Sequence, residues 1–128
     1  KNIKIENEAN LNSICELNKE LDFSKTLFLI DIEGSELELF NDEILDLLRN
    51  SILVIENHKF LLNKEKQNKY QELISEFNNK FNFEIIKNIG RNISQINELS
   101  NLSENELMMI CSENRPKMME WFILTPKT

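Results

Sequence analysis

Thr26-Leu27-Phe28-Leu29-Ile30-Asp31-Ile32-Glu33-Gly34-Ser35-Glu36 is the stretch whose reading decides the fold. Leu27 to Ile30 is too short for a helix and rich in branched and aromatic side chains, which predicts a strand over about Thr26 to Ile32. With no polar alternation, that strand is expected to be covered on both faces, as inside a parallel sheet. It ends in three carboxylates, Asp31, Glu33 and Glu36, grouped around Gly34. In open α/β sheets ligands bind beyond the carboxyl ends of the strands, so acids at such a tip are placed for function. The plainer alternatives remain: Asp31 can satisfy N–H groups of the following turn, and Glu33 and Glu36 flank a helix start that favours acids anyway.

Downstream, Leu37, Leu39 and Phe40 predict a short helix, and Asn41-Asp42-Glu43 caps a second one that runs to about Asn50. Ile52-Leu53-Val54-Ile55 is a second apolar strand and delivers Glu56-Asn57-His58 at its end. Strand, helix and strand within about 30 residues make a βαβ unit, so the two strands should pair in parallel through a right-handed crossover. Glu56 and His58 then share a sheet edge with Asp31. A histidine there can act as a general base beside a carboxylate, although a lone loop histidine is as often simply exposed.

Further on, Asn63 opens a polar helix to about Lys80 with Tyr70, Leu73, Ile74 and Phe77 on one face. Phe83 to Ile89 predicts a third strand, ended by Gly90. After a loop from Arg91 to Leu102, Ser103 and Glu106 form a capping box for a helix that Arg115-Pro116 should end. Met119 to Thr125 is the last strand. Upstream, Ile3 and Ile5 hint at a strand end, and Asn10 caps a helix carrying Leu11, Ile14, Cys15, Leu17 and Leu21 at helical spacing. Alternating helices and strands predict an α/β layered domain.

Composition narrows the function. The 128 residues make one domain, expected to span the whole chain. Fifteen basic against twenty-two acidic residues leave a net charge of −7, which disfavours nucleic acid as a partner. No apolar run is long enough for a membrane span and no signal peptide is visible, so a cytoplasmic location is expected. Cys15 and Cys111 lie far apart inside helical patterns and read as small core residues. His58 is the single histidine and makes no zinc site with them. Two glycines, Gly34 and Gly90, leave no glycine-rich loop.

Leu29-Ile30-Asp31-Ile32-Glu33-Gly34-Ser35-Glu36 resembles the K-I-D-V-E-G-A-E segment of FkbM-type S-adenosylmethionine-dependent methyltransferases. Asn10-Leu11-Asn12-Ser13-Ile14 is similar to that family's T-L-D-S-I helix start, Ile52 to His58 to its next strand, and Trp121 to Pro126 to its closing strand. The family's first strand and glycine-rich loop have no counterpart here. The resemblance therefore implies the C-terminal half of a Rossmann-like class I methyltransferase fold: a three-layer, mostly parallel sheet with an antiparallel last strand. It implies S-adenosylmethionine as the cofactor of the complete domain, with its binding motif missing from this chain, and a small metabolite or sugar hydroxyl as methyl acceptor. Asp31 and His58 would be catalytic, and Glu33, Glu36 and Glu56 would bind substrate. The fragment alone is not expected to be active.

A half-domain leaves the flank of Thr26–Ile32 without a neighbouring strand, and an apolar strand edge invites association. The missing N-terminal half or a second copy is expected along 26–32. A non-catalytic α/β interaction module is the alternative function. A weaker one is a divalent-metal site made by Asp31, Glu33 and Glu36.

Overall fold

The computed structural model describes residues 9–87, 96–111 and 119–127, except for the side chains at 108 and 111. Local chemistry starts most elements. In helix α1 (Leu11–Glu20), Asn10 Oδ1 accepts from the Ser13 N–H at 3.0 Å, and Ser13 Oγ accepts from the Asn10 N–H at 2.9 Å. Strand β1 (Leu27–Ile30) leads to α2 (Glu36–Leu39) and α3 (Asp42–Leu48). Asn41 separates the two helices, its Oδ1 accepting from the Ile44 N–H at 2.9 Å.

Strand β2 (Ile52–Asn57) is followed by α4 (Lys64–Lys80), capped by Asn63, and then directly by β3 (Phe81–Lys87). Helix α5 (Glu104–Cys111) opens on the expected box, with Glu106 Oε2 accepting from the Ser103 N–H at 2.8 Å. Strand β4 (Glu120–Pro126) closes the chain. The expectations for Ile3, Ile5, Gly90, the Cys111 side chain and Arg115-Pro116 lie outside the described residues.

The four strands form one mixed sheet in the order β1-β2-β4-β3. β1 and β2 are parallel, with Leu27 opposite Ile52 and Ile30 opposite Ile55. β4 inserts between β2 and β3 and runs antiparallel to both. The antiparallel last strand is as expected: β1, β2 and β3 point the same way, and because β4 separates β2 from β3 only one of the three pairings is parallel, so the sheet is mixed.

One core joins the helices to the sheet. Phe28, Ile30, Leu53, Ile55, Phe122 and Leu124 share a face by register and alternation. They pack with Ile14 of α1, Ile44, Leu45 and Leu48 of α3, and Tyr70, Leu73 and Phe77 of α4. Phe77 lies edge-on to Phe40, with centroids 5.3 Å apart at 89°.

The opposite face of β1 is different. Leu27 and Leu29 are 58% and 68% exposed, and their neighbours Ile52 and Val54 line up beside them on β2. The expectation of a strand covered on both faces is corrected at this point. A right-handed parallel crossover lays its helix on one side of the sheet, and no described helix covers β1 from the other. Among the described residues β1 is also an edge strand, hydrogen-bonded to a neighbour on one flank only. Between that flank and α1 runs a groove of about 300 Å³ lined by Ile14, Leu17, Phe28, Leu29 and Ile32, with Asp31 at its end. Among the described residues, no helix is long and apolar enough to cross a membrane.

Candidate functional site

The tips of β1 and β2 come together because parallel pairing puts both carboxyl ends on one edge. After Ile30 the chain leaves the sheet and reverses in a turn closed by the Ser35 N–H to the Ile32 carbonyl at 3.1 Å. Both central residues are left-handed, Glu33 at φ 52° and Gly34 at φ 95°. Glycine takes that conformation freely, whereas a non-glycine residue there is uncommon and held at some cost. A Cβ at Gly34 would meet Leu61 Cβ at 3.6 Å, an ordinary van der Waals contact, so the left-handed backbone and not space is what calls for glycine there. The reversal separates the acids. Asp31 and Glu33 stay at the surface, 47% and 72% exposed at the side chain. Glu36, in the first turn of α2, is fully buried.

His58 is the centre of the cluster and is 1% exposed. Its Nδ1 lies 3.2 Å from Glu36 Oε1. Its Nε2 faces Glu33 Oε2 at 3.3 Å, Asp31 Oδ1 at 3.6 Å and Glu56 Oε2 at 3.9 Å. All five residues singled out in the sequence therefore meet around one imidazole. Their stations differ from the expected ones. Glu36 and Glu56 are buried against the ring, so they orient it and set its field, whereas only Asp31 and Glu33 can meet a solute directly.

The ring's two nitrogens are in unlike positions. An ionised carboxylate only accepts, so with Glu36 ionised the contact is a hydrogen bond donated by Nδ1. Nε2 then faces Glu33 and Asp31 with a lone pair in the neutral ring and with a second proton in the imidazolium. Nε2 has no hydrogen-bond partner despite its short approaches, and the same is true of Glu36 Oε2. Buried polar atoms are nearly always paired, so two unsatisfied ones in a single contact chain make this cluster the candidate site.

A buried network, not anticipated from sequence, supports the ring from behind. The Tyr70 hydroxyl donates to Asn57 Oδ1 at 3.0 Å, the same oxygen accepts from the Lys59 N–H at 3.0 Å, and Asn57 Nδ2 donates to Glu120 Oε2 at 3.1 Å. Burial raises the Tyr70 pKa above its ordinary value, and the nearby Glu36 and Glu120 charges add to that, so the phenol stays a donor. Tyr70 was legible only as an apolar helix-face residue. Its polar role depends on Asn57 facing it, and helical spacing carries no signal for that.

Comparison of the chain with protein-family models, with curated proteins and with solved structures finds no match.

Proposed function

We propose that this chain is the acceptor side of an S-adenosylmethionine-dependent methyltransferase domain that methylates a hydroxyl of a small metabolite or sugar. The observation that carries the reading is the sheet order β1-β2-β4-β3 with an antiparallel β4, which supports the expectation of a half-domain with an antiparallel last strand. The D-x-E-G-x-E resemblance of Asp31 to Glu36 supports it as well, as does the convergence of those acids with His58 on the edge where α/β sheets bind ligands.

The cofactor does not fit the residues of this chain. Gly34 is the one glycine among the described residues, and it sits in the tight turn from β1 to α2, beside Leu61 and Leu62, with no second glycine to make a glycine-rich loop there. No step is therefore assigned to the cofactor. What the chain supplies is acceptor chemistry. The Asp31 and Glu33 carboxylates hold an acceptor hydroxyl by accepting its hydrogen bond, and one of them takes its proton. His58, buried behind them, works through their orientation.

Calorimetry with S-adenosylmethionine and this chain alone should give no heat of binding; clear binding would contradict the location of the site. In the protein encoded by the parent reading frame, Asp31→Asn should abolish transfer of labelled methyl to hydroxyl acceptors with the fold intact. Transfer unchanged by Asp31→Asn would refute the assignment.

Exposed Leu27 and Leu29 also favour a second reading, a non-catalytic α/β interaction module. A glycine-rich strand–loop–helix encoded upstream of Lys1 supports the enzyme; a sequence without one supports the module. In either case, the free flank of β1 pairs with the missing half or with a second copy.

A further inference from the structure

From the cluster around His58 we infer a divalent-cation site whose protein ligands are Asp31 Oδ1, Glu33 Oε2 and His58 Nε2. It differs from a site of three acids, because Glu36 faces the other ring nitrogen and is buried. The inference rests on the donor set alone and stands whether or not the chain belongs to a methyltransferase.

The first support is distance. One donor atom from each of Asp31, Glu33 and His58 lies within 4.8 Å of the other two. Nε2 is 3.3 Å from Glu33 Oε2 and 3.6 Å from Asp31 Oδ1. Two donors each about 2.1 Å from one ion are roughly 3.0–3.4 Å apart at octahedral or tetrahedral angles. The three atoms need to move only by amounts that two exposed carboxylates can make.

The second support comes from the buried ring and not from the acids. Nε2 is buried, lacks a hydrogen-bond partner and points into the cluster. Glu36 faces the far nitrogen, and Nε2 is directed at two carboxylate oxygens, so the cluster draws positive charge to one point: a proton on Nε2, or a metal ion that displaces it. Among the described residues, no lysine or arginine pairs with Asp31, Glu33 or Glu36 to supply the charge. Glu36 has the position of an outer-shell carboxylate: it accepts from the far nitrogen of a ligating imidazole, fixing the tautomer and strengthening the donor.

The ligand chemistry is one imidazole and two carboxylates. It suits manganese(II) or zinc(II) better than calcium, which prefers six or more oxygens. Three protein donors leave at least one coordination position open toward solvent, where a water or a substrate oxygen can bind and be polarised.

The test uses manganese(II) chloride and zinc chloride added to the intact chain, read by calorimetry and, for manganese, by paramagnetic broadening of the His58 ring protons. One ion per chain should bind, the His58 signals should broaden first, and Glu33→Gln and Asp31→Asn should each weaken binding by about tenfold or more. Both altered side chains are exposed, so their metal-free melting should match that of the unaltered chain. The proposal is overturned if neither ion binds saturably in the millimolar range. It is equally overturned if binding is indifferent to both substitutions, or if the His58 protons stay sharp with manganese bound.

Discussion

The helix-covered face of the sheet and the tip of its first two strands follow opposite rules. On the covered face, Leu53, Ile55, Phe122 and Leu124 meet α1, α3 and α4 in one close-packed core. At the tip, His58 and Glu36 are just as deeply buried, yet each has an unsatisfied polar atom. Among the described residues, three buried side-chain polar atoms lack a partner; two are these, and the third, Ser51 Oγ, lies at the opposite end of β2. The face is built for stability. The tip carries unsatisfied polar atoms at a cost to stability, a departure from consistent packing that is expected at functional sites.

The comparison can be broken by substitution, beginning where the effect is largest. Phe77→Ala removes a fully buried ring from the centre of the covered face, and denaturant unfolding should show a loss of about 3–5 kcal/mol. Tyr70→Phe takes one hydroxyl from the network behind the tip. Because Asn57 Oδ1 keeps the Lys59 N–H, the loss should be only about 1 kcal/mol by the same measurement. A loss as large as that of Phe77→Ala would mean that the tip is as much a part of the core as the face.

Leu29→Lys alters the bare side of β1. It should change unfolding free energy by about 0.5 kcal/mol or less, since the side chain is mostly in water already. Light scattering should nevertheless show reduced self-association, because a lysine on an apolar edge strand blocks pairing. A monodisperse monomer before the substitution would remove the edge from the account.

The smallest expected effect lies away from both regions. Hydrogen bonds from Lys25 and then from Ser24 hold the Asp22 carboxyl at about 2, below its ordinary 3.8. A folded-state value below the unfolded one gives stability that is complete above about pH 4 and fades as pH falls toward 2. The stability difference between the chain and Asp22→Asn should shrink through that window and stay flat from pH 5 to 7. Asp22 is fully exposed, so the difference is small throughout.

Much of the fold was legible because it is written locally. Asn10, Asn41, Asn63 and Ser103 each announce a helix, and each makes its capping contact in the structure. Leu27 to Ile30 and Ile52 to Ile55 were legible as strands, and their parallel pairing followed from the short helical crossover. The bare side of β1 was not legible, since an apolar run reads the same whether one face or both are covered. The convergence of Asp31 with His58 could be read from parallel pairing alone. The division of labour among the acids could not: spacing puts Asp31, Glu33 and Glu36 around one turn, and only the left-handed pair Glu33-Gly34 decides which of them turns inward. The Asn57–Glu120 contact joins residues 63 positions apart, beyond the reach of any local pattern.

The central claim is that in the neutral ring Glu36 holds the His58 proton on Nδ1, so that Nε2 is the atom aimed at Asp31 and Glu33. Long-range nitrogen–proton NMR of the imidazole, recorded without metal at a pH where the ring is neutral, measures this directly. The account predicts a protonated Nδ1 and an unprotonated Nε2. A proton found on Nε2 instead, hydrogen-bonded to Glu33 or Asp31, would contradict it.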